Sequence, residues 1–202
     1  MSSRLLISLF LPFVLLANTY NSSISISKGA FYYTDQPSVI FEGWSYFNLS
    51  GFRQYNIRFD HEFSRLPVTI GLEYIYAQTQ AREDTEDKPM IYPGMRSISP
   101  DVGLLYRLGY AIVKAGIGVA YTKSTFDFGT NSYSGTIKKI ENMPFVYGSL
   151  STPITERIRI LITTGYYINK DFHEGGLAGE HPFQFSRRGD IKRVTAGLSY
   201  SF

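Results

Sequence analysis

Apolar and polar residues alternate one for one along most of this chain. The last stretch is the clearest: Val194, Ala196, Leu198, Tyr200 and Phe202 interleave with Arg193, Thr195, Gly197, Ser199 and Ser201. A period of two belongs to a strand with one apolar and one polar face. Ile158, Ile160, Ile162, Tyr166 and Ile168 repeat it against Arg157, Arg159, Thr163 and Asn169. Val113, Ile117, Val119 and Tyr121 do so against Lys114, Gly116 and Gly118, and Ile70, Leu72, Tyr74 and Tyr76 against Thr69, Gly71 and Glu73. Tyr55, Ile57, Phe59 and Phe63 alternate with Asn56, Arg58, Asp60 and Glu62, with His61 breaking the apolar phase.

The pattern predicts eight strands, at about 24–34, 52–63, 68–80, 98–108, 111–127, 140–151, 157–170 and 190–202. Strands one and six have no clean alternation, and their faces stay unassigned. The connections sort by length: short at 64–67, 109–110 and 152–156, long at 35–51, 81–97, 128–139 and 171–189. Short turns on one side and long loops on the other are the habit of a membrane-spanning meander barrel. A Greek-key sandwich has no reason to sort its loops this way. The expected fold is therefore all-β: a closed, antiparallel, eight-stranded transmembrane barrel.

The aromatic residues fit that topology. Tyr74, Tyr76, Tyr121 and Tyr166 fall near the long-loop rim, and Phe59, Phe63, Tyr106, Tyr200 and Phe202 near the short-turn rim. Between them the apolar face is aliphatic, with Ile57, Ile70, Leu104, Val113, Ile117 and Leu198. Aromatic rings favour the boundary between water and hydrocarbon. Mean hydropathy is −0.10, which decides nothing because the two faces of each strand cancel. No segment after the first 17 residues is apolar enough for a spanning helix. Residues 1–17 read as a secretory signal peptide: Arg4 supplies the positive start, and 5–16 form an apolar core too short to span a bilayer. Residues 18–202 are left as the barrel domain. The chain has no Cys, which a closed barrel does not need. The net charge is +3 without a basic block, so no nucleic-acid footprint is present.

The inward set carries both signs: Arg58, Asp60, Glu62, Glu73, Asp101, Arg107, Lys114, Arg157, Arg159 and Arg193. Mixed signs suit mutual pairing, because an unpaired buried charge is costly. An eight-stranded barrel is just wide enough for side chains to fill. The expected interior is thus a salt-bridged plug, the alternative a narrow polar pore.

The terminal run Thr195-Ala196-Gly197-Leu198-Ser199-Tyr200-Ser201-Phe202 resembles the closing signal of bacterial outer-membrane barrels, with Thr195, Gly197, Tyr200 and Phe202 at its marked positions. The resemblance implies that the barrel-assembly machinery reads it. At this length the chain resembles the small eight-stranded group of OmpX-like proteins and the OmpA transmembrane domain, with no subfamily motif. The resemblance implies an integral protein of the bacterial outer membrane with a structural or surface-interaction role. It would work as a monomer beside outer-membrane lipid and lipopolysaccharide, without cofactor or metal. A channel for small solutes or hydrophobic compounds is one alternative.

Catalysis on lipid A is another, since small barrels include acylases and deacylases. It would need a nucleophile, a base and an orienting group at the outer leaflet. His61 falls at the opposite end; His173 and His181 lie in the last long loop near Ser186, Glu174 and Glu180. No enzyme is expected from this set. The acidic run 83–87 lacks the glycine and spacing of a calcium loop. Arg188-Gly189-Asp190 is a tripeptide that chance produces easily. Arg82, Lys88, Arg96, Arg187 and Arg188 in the loops are candidates for contact with lipopolysaccharide phosphates.

Overall fold

The computed structural model describes residues 22–35, 38–41, 44–47, 52–63, 65–79, 90–129, 134–178 and 181–202. The predicted leader 1–17 and the acidic run 83–87 lie outside them. Eight strands form the wall: β1 (Ser22–Tyr33), β4 (Phe52–Glu62), β5 (Val68–Thr79), β6 (Met90–Leu108), β7 (Ala111–Gly129), β8 (Ser134–Pro153), β9 (Ile158–Tyr167) and β12 (Ile191–Ser201). They close in the order β1-β12-β9-β8-β7-β6-β5-β4, with every neighbouring pair antiparallel. The other four strands, β2 (Ser38–Phe41), β3 (Trp44–Phe47), β10 (Phe172–Ala178) and β11 (His181–Arg187), make a second sheet in the order β10-β11-β2-β3.

Register sets the barrel's width. From Lys28 the ladder runs through Tyr55, Tyr76 and Arg96 to Lys123 on β7. In the other direction it runs through Ala196, Ile162 and Leu150 to Val113 on the same strand. The two arrivals are ten residues apart, and that stagger tilts the strands by about 40° and puts the wall about 8 Å from the axis. Side chains from opposite walls meet in a cylinder of that radius. The bore is therefore a packed interior.

The alternation sorts the side chains. Ile26, Leu104 and Ile117 lie outside at 66%, 64% and 66% exposure, while Ser25, Asn56, Arg58, Glu73 and Thr195 lie buried inside. So large an apolar exterior is stable only in hydrocarbon, where closure leaves no backbone group unpaired. At the short-turn end, a two-residue connection joins β6 to β7. Gly109 there has φ of 57°, a left-handed conformation that glycine adopts without a Cβ penalty.

Three features differ from the sequence expectation. Strand four starts at Met90 rather than near 98, and strand six at Ser134 rather than near 140. Beyond the lipid both faces of a ladder can be wet, so these extensions carry no apolar signal. The long connections 35–51 and 171–189 contain strands of their own. Finally, the outer half of the bore carries an apolar cluster of Phe31, Ile75, Phe126, Met143, Phe145 and Tyr167, with Gln54, Ser97, Thr122 and Ser124 buried beside it.

Candidate functional site

The bore changes character along its axis. At the short-turn end it opens into a polar cavity of about 280 Å³. Its lining carries a chain of charges of alternating sign. The Arg58 guanidinium donates to both Asp60 oxygens from Nε at 3.0 Å and to Asp101 from Nη1 and Nη2 at 2.8 Å. It also donates to the Tyr147 hydroxyl at 3.1 Å and lies 4.7 Å from that ring's centre. Lys114 Nζ stands 3.9 Å from Asp60 and 3.2 Å from Glu62, and Arg107 closes the series on Glu62 at 2.8 Å. Three carboxylates meet three cations, so the group is neutral in sum. Fork-shaped guanidinium contacts of this kind are the strong ones.

Space for Arg58 and Tyr147 comes from glycines on the neighbouring strands. A Cβ on Gly71 would lie 2.4 Å from Arg58 Nη2, and one on Gly116 2.5 Å from the Tyr147 ring. Glycines on β5 and β7 thus admit the largest interior side chains. One step further out, Arg193 donates from Nη1 to Glu73 at 2.7 Å, with its guanidinium 5.4 Å from the Tyr167 ring. Both partners are buried.

One charge assigned inward from the sequence sits elsewhere. Arg157 precedes the first residue of β9, lies exposed in the turn, and donates to the Tyr200 hydroxyl at 3.3 Å on the outer wall. Arg107 is at the mouth, with its side chain 61% exposed. Arg159 lines the cavity and donates to Ser151 Oγ at 3.2 Å and to the Tyr110 carbonyl at 2.9 Å. Of the closing-signal residues, Thr195 is buried in the bore and Tyr200 and Phe202 stack at 6.5 Å on the outer wall. Gly197 sits at the β1–β12 seam, where a Cβ would come within 2.1 Å of the Ile26 carbonyl. The Phe202 amide donates to the Ser22 carbonyl at 2.9 Å.

The apolar layer caps this polar half. Phe145 stacks on Tyr167 at 5.0 Å, and Phe126 packs on Phe185 of β11 at 4.8 Å. Phe185 comes from the loop sheet, whose inner face is thereby seated on the mouth. Arg187, expected among the outward phosphate contacts, instead turns into the mouth and is fully buried. It grips Glu141 with two bonds, 2.8 and 2.9 Å, and donates to the Asn169 side-chain carbonyl at 2.9 Å. Its guanidinium lies 5.5 Å from the Phe126 ring and 6.0 Å from Phe172. Lys139 adds a second cation 3.1 Å from Glu141.

On β8 Asn142 pairs with Tyr121 of the outer aromatic girdle, so Glu141, one residue nearer the loops, stands beyond the lipid. Burial there opposes its charge, but the bonds and charge of Arg187, helped by Lys139, outweigh it and hold the carboxyl below its ordinary value. No sequence pattern could have paired Arg187 with Glu141, which are 46 residues apart.

The other face of the loop sheet looks outward. His173 stands opposite Ser186 and Gly175 opposite Gln184, with Ser38 and Ile40 alongside. Together with Asp35 and Arg188 they line a hollow of about 770 Å³. No hydrogen bond joins His173 to Ser186. His61, at the far end, is bonded to Ser22 Oγ at 3.0 Å. Asp190 of the Arg-Gly-Asp tripeptide is tied to the outer end of β9: its carboxylate accepts from the Tyr166 hydroxyl and from the Asn169 amide. Among the described residues no group of three or more acidic or histidine side chains could hold a metal ion.

No protein-family model and no curated protein matches the sequence. Solved structures do match in fold. A major outer membrane protein from Thermus thermophilus superposes with a TM-score of 0.60 at 14% identity, over 90% of this chain and 99% of that one. Neisserial surface protein A does so at 0.57 and 9% identity, over 90% and 97%. The attachment invasion locus protein Ail of Yersinia pestis, crystallised with the heparin analogue sucrose octasulfate, does so at 0.51 and 14%, over 90% and 99%. The fold is that of the small bacterial outer-membrane β-barrels, and the apolar wall sets the chain in that membrane.

Proposed function

We propose that this protein is a sealed outer-membrane barrel whose working surface is the loop-built sheet facing outward. One observation carries the reading: beyond the polar cavity at the short-turn end the bore is filled, and the sheet is fastened over its outer mouth. The charge chain of Arg58 blocks the lower half, the aromatic layer of Phe126, Phe145 and Tyr167 the upper half, and Arg187 locks the cap. An ion would have to cross a closely packed aromatic layer, which argues against the channel alternative. What remains open to a partner is the hollow of His173, Gln184, Ser186 and Arg188, on the side where loops carry function.

The reading assigns no catalytic role. His173 and Ser186 face the same way without a bond between them, so the serine lacks an activated base. We further propose that the chain acts as a monomer among outer-membrane lipids and lipopolysaccharide. On this reading the assembly machinery recognises its last strand through Gly197 and Phe202.

Two measurements test the reading. In planar bilayers the refolded protein should give no steady conductance, and a stable, salt-dependent current would refute the seal. On live cells, a photo-crosslinker replacing Gln184 should capture a surface partner. Capture at Arg107, on the opposite mouth, with none at position 184 would move the working surface to the wrong side.

A further inference from the structure

The outer wall is electrically one-sided. Among the described side chains, six Lys and Arg residues face outward from the wall strands: Lys28, Arg53, Arg96, Lys123, Lys138 and Lys192. All lie toward the loop end. In the other half of the wall the outward residues are apolar apart from His61 and a few small polar side chains. A single outward carboxylate, Asp127, shares the basic end, and it accepts a hydrogen bond from Thr136 Oγ1 at 2.7 Å.

The cations gather at a definite depth. Arg96 pairs in register with Tyr76, and Lys123 lies two residues beyond Tyr121 on its strand. The band thus begins at the outer aromatic girdle, the level where lipid headgroups meet water. Lys28 lies lower, and its ammonium rests 5.6 Å from the Tyr55 ring; a long stem there lets the charge reach up to the interface.

Within this band one place is shaped for an anion. Arg96 and Lys123 are direct cross-strand partners on the same face. Like charges so placed repel and destabilise the sheet unless a counter-anion lies between them. Beside them is a groove of about 430 Å³, walled by Tyr76, Gln78, Thr125 and Asp127. Gly94 lies in its floor, where a Cβ would stand 2.7 Å from Thr125 Oγ1. The Arg96 guanidinium lies 5.5 Å from the Tyr76 ring, and the Tyr76 hydroxyl donates to Gln78 Oε1 at 2.7 Å. The Tyr76 ring thus borders the guanidinium at the edge of the groove.

We infer that the groove over β5, β6 and β7 binds the phosphorylated sugar headgroup of an outer-leaflet glycolipid, with one phosphate between Arg96 and Lys123. The inference rests on the membrane reading above, since it needs the wall in lipid and the loops outside. Arg supplies two parallel donors to a phosphate and Lys a point charge. Thr125 and Gln78 offer hydrogen bonds to sugar hydroxyls, and the acyl chains run down the aliphatic wall below.

Native mass spectrometry of the refolded protein in zwitterionic detergent tests this with three probes: bisphosphorylated lipid A, the same lipid stripped of phosphate, and inorganic phosphate. Wild type should retain bisphosphorylated lipid A at least about tenfold more tightly than the stripped lipid. The pair R96Q and K123Q together should abolish that difference, while R65Q, in a turn at the far end, should leave it intact. Equal retention of both lipids by wild type, or an undiminished preference in the double variant, would overturn the inference. Inorganic phosphate binding as tightly as the lipid would make the groove a plain anion site and overturn the lipid assignment. Heat-modifiable gel migration, recorded on each sample, reports separately whether the barrel itself has formed.

Discussion

The latch between Arg187 and Glu141 makes a prediction with an internal control. Replacing Glu141 by Gln leaves a fully buried guanidinium facing an amide, with Asn169 Oδ1, the Lys170 carbonyl and the Tyr33 hydroxyl still beside it but no carboxylate bonded to it. Stripping a buried charge of its partner costs about 3–5 kcal/mol. Replacing Arg187 by Met removes the buried charge itself, and Glu141 keeps Lys139 at 3.1 Å. That change should cost only about 1–2 kcal/mol, the worth of the lost bonds. The wall ladders do not depend on either residue, so both costs should fall on the loop sheet. Amide hydrogen exchange across β10 and β11 is the assay. Opening of the sheet should rise roughly 10²–10⁴-fold in E141Q and about tenfold in R187M, with exchange in β7 and β8 below the mouth unchanged. If R187M opened the sheet more than E141Q, or if neither altered β10 and β11, the latch would not be what holds the cap.

Acid should release the same cap. Glu141 is held below its ordinary value, so its contribution is present above the unfolded-state value and fades as pH falls through the lowered one; β11 protection should be flat near neutrality and drop only in strong acid. Gly71→Ala places a methyl 2.4 Å from Arg58 Nη2 and 2.7 Å from Asp101 Oδ2, and should lower stability to guanidinium in detergent by about 1–3 kcal/mol. Glu73→Gln should cost about 3–5 kcal/mol in the same measurement, because Arg193 is left buried with no other carboxylate bonded to it. Gly197→Val should sharply reduce the heat-modifiable fraction after refolding, since even a Cβ at this seam would lie 2.1 Å from the Ile26 carbonyl oxygen.

The wall was legible because a strand between lipid and a packed bore must alternate. Ile160, Ile162, Leu198 and Tyr200 against Arg159, Thr163 and Ser199 could be read directly. Strands one and six resisted for a physical reason. Their inward residues at the outer end, Phe31, Tyr33, Met143 and Phe145, are as apolar as the outward ones, so the contrast vanishes. That same loss concealed the aromatic layer and suggested a uniformly polar filling. The loop sheet was hidden because β10 runs Phe172-His173-Glu174-Gly175-Gly176-Leu177-Ala178, with a glycine pair and no two-residue rhythm. Single charges were the hardest to place. Arg187 and Arg188 are neighbours in a polar loop, yet one is buried and the other exposed, and only the fold distinguishes them.

The aromatic layer separates two parts of the molecule that answer to different demands. Below it, the ion pairs around Arg58 and Arg193 are insulated from whatever happens at the cell surface. Segments above can lengthen, shorten or change their chemistry without sending a stray charge down to those pairs. A barrel built this way can renew its exterior face freely, because the packed collar of Phe126, Phe145 and Tyr167 keeps each revision local.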